Sequence, residues 1–367
     1  MPRKMETDRW LFLATLALCL LGAVMVFSAS AVTAREQYGN GYHFLVRQLL
    51  WLAMGLAGLF TMMNLDYRRL REPRFVFAFL GIVLVMLAGV FFLDKSHATH
   101  RWIRLGPASL QPSELAKLAV ILYLGWFLEL RRRPRSFGVN DFGATIVPAT
   151  AVVIAMFGLI VIEPDLGTAL EILVISLAIL FVAGLSGTYI LGAGAAAAPA
   201  IYLAVVHVSY RYERVVAFLH PEIDPQGRGF QLVQSLIAVG SGGLTGVGLM
   251  ESKQKLFYLP EAHTDFIYAV LCEELGFIGA AVVLALFAVY AWRGLRAALR
   301  APDDFGRFLA LGITVMVVSQ TLINVGVVLG MMPTKGIPLP FVSYGGSSLF
   351  VMLLATGVLL NISQQAD

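Results

Sequence analysis

Residues 229–249 read GFQLVQSLIAVGSGGLTGVGL, and whether this stretch crosses a membrane decides the topology of the whole chain. Leu232, Val233, Leu236, Ile237, Val239, Leu244, Val247 and Leu249 make it apolar enough to be counted as a span. Gln231, Gln234, Ser235 and six glycines argue against that, since glycine weakens a helix interior by about 1 kcal/mol relative to alanine. Parity decides. Arg131, Arg132, Arg133 and Arg135 precede the stretch, and Arg293, Arg296, Arg300 and Arg307 follow it. Basic loops gather on the cytoplasmic side. Four other apolar runs lie between the two clusters, and a fifth crossing would put one cluster outside. Residues 229–249 are therefore expected to form a helix and loop lying on, or dipping into, the outer face.

Composition makes the membrane the frame for this argument. The 367 residues are 58% hydrophobic and 14% charged, with a mean hydropathy of +0.78. Soluble domains carry close to a quarter charged residues. The pI near 9.1 does not point to nucleic acid, because the basic residues sit in short clusters between apolar runs. Cys19 and Cys272 lie in or beside apolar runs and form no metal spacing. The sequence shows no internal repeat and no low-complexity tract.

Runs of about 20 apolar residues match the hydrocarbon thickness as helices. They fall at about 10–29, 44–63, 75–93, 113–130, 143–162, 166–184, 188–207, 266–292, 306–330 and 343–363. The first follows Arg3, Lys4 and Arg9 and ends near Ser28-Ala29-Ser30-Ala31, like a secretory signal. It is longer than a signal core and reads as a retained anchor. The expected fold is all-α: a single polytopic membrane domain over 1–367 with about ten transmembrane helices. A long extracytoplasmic loop, about 208–265, lies between helices 7 and 8, and both termini are cytoplasmic. Long loops without evident structure are usually functional.

Soluble cofactor signatures are missing from the sequence. The glycine run at 240–248 does not fit a dinucleotide fingerprint, because Thr245 takes a glycine's place; it reads as a flexible or bent loop. His97, His100, His207, His220 and His263 are scattered along the expected outer side. Ionisable groups beside apolar runs are the better signal, being expensive there. Glu114 and Lys117 share a helix face at i, i+3. Asp165 follows Glu163-Pro164 in a short outer turn, and Asp265 follows His263-Thr264 at the start of a span. A carboxylate cluster with a lysine suits general-base work and an anionic lipid head group. The plainer readings are an ion pair for Glu114–Lys117 and helix N-caps for Asp165 and Asp265. Glu171, Glu273, Glu274, Gln320 and Asn324 lie within spans, where such residues knit helices together, and they are left outside the site. Residue chemistry alone thus leaves both transporter and lipid-modifying enzyme open.

The segments Lys255–Phe266 (KLFYLPEAHTDF) and Pro333–Ser348 (PTKGIPLPFVSYGGSS) resemble the signatures of the SEDS family (shape, elongation, division and sporulation). Arg101–Ile103, Gln111–Lys117 (QPSELAK) and Glu163–Thr168 (EPDLGT) match the same family in the same order. Tyr258–His263 and Pro333–Gly336 resemble the division and sporulation branch, whereas Ile337–Val342 resembles the elongation branch. The resemblance spans the chain and implies the division type.

It also implies an activity: polymerisation of lipid II, an undecaprenyl-diphosphate-linked disaccharide peptide, into β-1,4 glycan at the outer face of the bacterial cytoplasmic membrane. Asp265 would be the essential carboxylate. Glu114, Lys117, Asp165, Arg101, His263 and Lys335 would form the substrate-binding set, with no protein metal site. A divalent cation, Mg or Mn, is the one cofactor to consider, on the leaving diphosphate. The implied partners are a class B penicillin-binding protein transpeptidase and other membrane proteins of the division machinery. A lipid II flippase, or a rod-elongation role within the same family, is the alternative.

Overall fold

The structure is a computed structural model describing residues 7–93, 101–105, 108–132, 138–221, 223–224, 227, 229–256 and 258–366. His97, His100, Arg133 and Arg135 fall outside the described residues. The helices are α1 (Arg9–Tyr38), α2 (His43–Asn64), α3 (Pro73–Leu93), α4 (Pro112–Arg132), α5 (Val147–Ile162), α6 (Leu166–Ala183), α7 (Gly187–Val206), α8 (Ser209–Leu219), α9 (Phe230–Ser241), α10 (Ile267–Arg300), α11 (Asp304–Val328) and α12 (Gly346–Ser363). A small antiparallel hairpin, β1 (Ile103–Leu105) with β2 (Ala108–Leu110), leads into α4. The sequence reading did not anticipate it.

Among the described residues, eight helices are long and apolar enough to cross a membrane: α1, α2, α3, α5 with the turn before it, α6, α10, α11 and α12. The protein is thus an all-α, multi-pass membrane protein. α4 has comparable length but carries Glu114, Lys117, Glu129, Arg131 and Arg132; α7 is 20 residues long with Pro199 inside. α1 runs past its expected end to Tyr38, where Gly39 takes a left-handed φ of 70° and donates to Arg35 O. Small polar residues near Ser28 do not stop the helix, because Ser28 and Ser30 are themselves buried and hydrogen-bonded, to Glu274 and Val26 O.

The long helices arrange their ends consistently. At one end, Tyr67 Oη and Arg68 Nε both reach Asp303 Oδ2, at 2.8 and 3.0 Å. Arg71 pairs with Glu129 at 2.9 Å, Arg132 with Asp304 at 3.1 Å and Arg293 with Asp8 at 2.6 Å. Arg68, Arg71, Arg132 and Arg293, drawn from all three basic clusters, therefore share one end. α9, of 12 residues, spans only about 18 Å, well short of the roughly 30 Å hydrocarbon layer. Val205, at the end of α7, and Asp265, just before α10, line one cavity. The chain thus enters and leaves the segment holding residues 229–249 at the same end.

The glycine run after α9 is a tight element rather than a loose one. α10 is two helical stretches meeting at Gly276, whose φ of 63° and ψ of −166° break the helix. A break in an apolar helix strands backbone groups that need partners. The returning chain supplies them. Val247 N and Gly248 N donate to Glu273 O and Glu274 O at 3.0 and 3.1 Å, and Gly243 O and Leu244 O accept from Phe277 N and Ile278 N at 2.9 and 3.1 Å. This approach leaves no room for side chains: a Cβ on Gly246 would lie 2.1 Å from Glu274 O. Beside the break, Glu274 accepts from Lys255 Nζ at 2.8 Å and from Ser28 Oγ at 2.6 Å. Glu273 accepts from Ser252 Oγ and, at 3.0 Å, from Lys253 N. The segment that leads to Asp265 is thereby fastened to α1 and α10.

This splice predicts a contrast between two glycines. Gly246→Val meets both the clash and a φ of 82°, and is expected to destabilise the protein by about 2–4 kcal/mol. Gly240→Ala, with no atom within 4 Å of the added Cβ, should melt like the parent. Thermal melts in detergent compare the two, and equal melting temperatures would rule out a close-packed splice.

Candidate active site

Four segments meet at the end opposite the arginine pairs: the hairpin before α4, the α5–α6 turn, residues 258–266 and residues 333–345. Pro333, Pro338 and Pro340 carry no backbone N–H, and side chains hold several carbonyls of and around this segment. Asn324 Nδ2 donates to Ile337 O and to Asp265 O, each at 2.7 Å, and Gln320 Nε2 donates to Pro338 O at 2.8 Å. Ser343 Oγ donates to Thr264 O at 2.6 Å, and Tyr344 N donates to His263 O at 3.0 Å. Residues 263–265 and 337–344 are thus tied together. Gly336 passes so close that a Cβ there would sit 2.9 Å from Asp265 Oδ2.

Asp265 lies where two cavities adjoin. One, of about 430 Å³, has an aromatic and hydroxyl-rich wall that includes Phe44, Trp51, Trp102, Tyr344, Ser347 and Ser348. The other, of about 590 Å³, combines cations (Arg214 and Lys335) with the apolar side chains of Leu166, Leu170, Val205 and Val215. Arg101, Trp102, Glu261, Asp265 and Gly336 border both. Burial pushes the Asp265 carboxyl up to about 7, helped by the charge of Glu261 and opposed by Arg214 and Arg101. A base poised near neutral pH is well matched to proton abstraction there. Asp265 itself is only half-buried, in cavities that also carry Arg101, Arg214 and Lys335.

Other expected site residues divide into two groups. Asp165 lines the larger cavity and also caps α6, accepting from Thr168 N at 3.2 Å, Thr168 Oγ1 at 2.9 Å and Gln111 Nε2 at 3.1 Å. The cap and the cavity wall are one residue. Arg101 braces on the α5–α6 turn, with Nε donating to Glu163 O at 3.1 Å and Nη2 to Pro164 O. Glu163 is fully buried, and burial with the neighbouring Asp165 charge pushes it up to about 8, against the pull of Arg101. Lys335 lines the larger cavity.

Glu114, Lys117 and His263 line neither cavity. Lys117 has no exposed surface. Its Nζ is 3.1 Å from Glu114 Oε1, 3.3 Å from Glu171 Oε2 and 2.7 Å from Gln320 Oε1. His263 packs its ring on Phe44 and Tyr344, at centroid distances of 4.6 and 5.7 Å; burial lowers its pKa. Glu261, Arg214, Trp102, Gln320 and Asn324 belong to the site and were not picked from sequence. For the two amides a signal existed: their i, i+4 spacing within an apolar helix. Among the described residues no group of three or more His, Cys, Asp or Glu side chains is arranged for a metal ion.

A family model named FTSW_RODA_SPOVE, described as "Cell cycle protein", matches residues 9–367, and the chain belongs to that family. It is 44% identical over 364 residues to the "Probable peptidoglycan glycosyltransferase FtsW" of Trichlorobacter lovleyi, covering 98% of this chain and 94% of that one. It is equally 44% identical over 365 residues to the stage V sporulation protein E of Bacillus subtilis, covering 99% and 98%. The fold is similar to the crystal structure of the rod shape determining protein RodA of Thermus thermophilus, at a TM-score of 0.71 with 29% identity over 98% of this chain and 97% of that one. It is also similar to a chain from a structural study of polymerization and crosslinking by a peptidoglycan synthase complex, at a TM-score of 0.79 with 33% identity over 97% of each chain.

The buried Lys117 makes a clear prediction. Lys117→Met leaves Glu114 and Glu171 buried without their cation, a loss of about 3–5 kcal/mol. Adding Glu114→Gln and Glu171→Gln to that variant should recover most of the melting temperature. A Lys117→Met protein that melts like the parent would show that the three groups do not depend on one another.

Proposed function

We propose that this protein is a peptidoglycan glycosyltransferase that polymerises lipid II at the outer face of the cytoplasmic membrane, with Asp265 as the general base. The position of Asp265 on the seam of two adjoining cavities carries this reading. Two substrates must meet in this reaction, and the walls suit different parts of them. The larger cavity offers Arg101, Arg214 and Lys335 to a diphosphate and an apolar wall to the first units of a polyprenyl chain. The smaller one offers aromatic faces and hydroxyls to sugar rings.

In the reaction, Asp265 takes the proton from the 4-hydroxyl of the acceptor sugar. That oxygen attacks C1 of the donor sugar from the face opposite the diphosphate. The C1–O bond to the lipid diphosphate breaks, the configuration inverts, and the lipid diphosphate leaves with its charge held by the cations. A divalent cation bound with the diphosphate would supply further charge neutralisation. The activated donor provides the driving force.

The same reading takes α4 and α7 as crossings, for ten in all. It puts the arginine-paired end and both termini in the cytoplasm, as the basic loops require, and residues 208–265 outside. The relatives named FtsW and the motif at Tyr258–His263 favour septal wall synthesis. A class B penicillin-binding protein would crosslink the product, in keeping with the synthase complex from which one similar chain comes.

Purified protein with labelled lipid II tests the reading. Asp265→Asn and Asp265→Ala should lower polymer formation by at least about 100-fold while remaining folded. Because the base acts deprotonated, the parent's rate should fall as pH drops through about 7, to roughly a tenth of its plateau one unit lower. Full activity in Asp265→Asn would remove the base assignment. Lipid II scrambling in vesicles without any polymer would favour the flippase.

A further inference from the structure

Gln320 and Asn324 lie one turn apart on a single face of α11, buried at 0% and 2% exposure. In an apolar bundle such amides commonly bond to a neighbouring helix. The NH₂ groups of these two reach instead for loop carbonyls at the site. Asn324 divides its two N–H donors between Asp265 O and Ile337 O, both at 2.7 Å. Gln320 donates to Pro338 O at 2.8 Å and accepts from Lys117 Nζ at 2.7 Å.

The orientation of Gln320 is dictated by chemistry. A lysine ammonium only donates, so Gln320 must turn its oxygen to Lys117, and its NH₂ is thereby aimed at Pro338 O. Asn324 is committed in the same sense, because a carbonyl on each side calls for its NH₂. Its Oδ1 has no hydrogen-bond partner among the described residues. A buried unsatisfied oxygen costs about 1–3 kcal/mol, which a purely stabilising residue would not be expected to carry.

We propose that Gln320 and Asn324 are positioning residues: an amide clamp, set by Lys117, that holds residues 336–338 against Asp265 and so fixes where its carboxylate faces the two cavities. Lys117 then serves the reaction from behind the site, through Gln320. The requirement for such a clamp is plain from Gly336, which comes so close that an added Cβ would sit 2.9 Å from Asp265 Oδ2. If that segment moves out by an ångström, the base loses both its place and its shielding from water, and misplacement of that size can cost 100-fold in rate.

The kinetic part of the test rests on the polymerase reading above; the exchange part does not. Gln320→Met and Asn324→Leu keep size and burial but cannot donate. In membrane-reconstituted protein, each should lower kcat for lipid II polymerisation about 10- to 100-fold, with KM within about threefold. The acid limb of the pH–rate profile should move down as the carboxyl regains water. Hydrogen exchange of peptides covering 336–345 should be at least about tenfold faster. If Gln320→Met fails to fold, Gln320→Asn, whose amide is one methylene shorter, must show the same pattern in smaller size. Exchange and kcat within threefold of the parent would overturn the clamp, as would a raised KM at unchanged kcat. Should the parent make no glycan, the polymerase reading fails on its own, and exchange at 336–345 still decides the clamp in either direction.

Discussion

One half-buried carboxylate sets the terms for the rest of this structure. In the proposed reaction Asp265 has to be shielded enough to hold a proton near neutrality and open enough to meet two substrates. Those demands conflict: shielding calls for packed backbone around the carboxyl, and access calls for cavities. The chain reconciles them by bringing the 333–345 segment, poor in backbone donors, up to the carboxylate on one side and leaving the two cavities on the others. Side chains of α11 hold that segment by its carbonyls. The broken helix α10 and the 252–256 segment, fastened by Lys255–Glu274 and Ser252–Glu273, fix the approach to Asp265 from the other direction.

The polar groups within the bundle follow the same logic. An isolated charge in hydrocarbon is costly, and here Lys117 lies between Glu114 and Glu171, and Lys255 lies with Glu274 and Ser28, although Glu114 Oε2 and Glu171 Oε1 accept no hydrogen bond among the described residues. Such groups contribute little net stability compared with well-packed apolar side chains. Their value is geometric, since each ties together segments distant in sequence.

Much of the architecture was legible in the apolar runs. Expected spans at 44–63 and 306–330 correspond to His43–Asn64 and Asp304–Val328, because hydrophobic length and helix length are linked by a fixed rise. Parity of basic loops argued against a crossing at residues 229–249, and α9 there is only 12 residues long. Less was legible where backbone geometry decides. The break at Gly276 and the glycine splice that repairs it leave a composition indistinguishable from a flexible loop. The hairpin before α4 is too short to give a pattern. In the site, position along the chain pointed to Asp165 and Asp265 together with Glu114 and Lys117, and the family resemblance added Arg101, Lys335 and His263; of these Asp165, Asp265, Arg101 and Lys335 line the larger cavity. Position along a helix does not report depth, so Lys117 and Glu114 read like cavity residues although they lie behind the wall. For the same reason Gln320 and Asn324 read like ordinary helix-knitting amides.

The proposed base chemistry depends on Asp265 holding its proton to near-neutral pH. Infrared titration of the purified protein, with the protonated-carboxyl band assigned by difference against Asp265→Asn, measures this directly. A band lost with a midpoint near 7 is the expected result. A midpoint near 4, the value of an ordinary solvated aspartate, would contradict it.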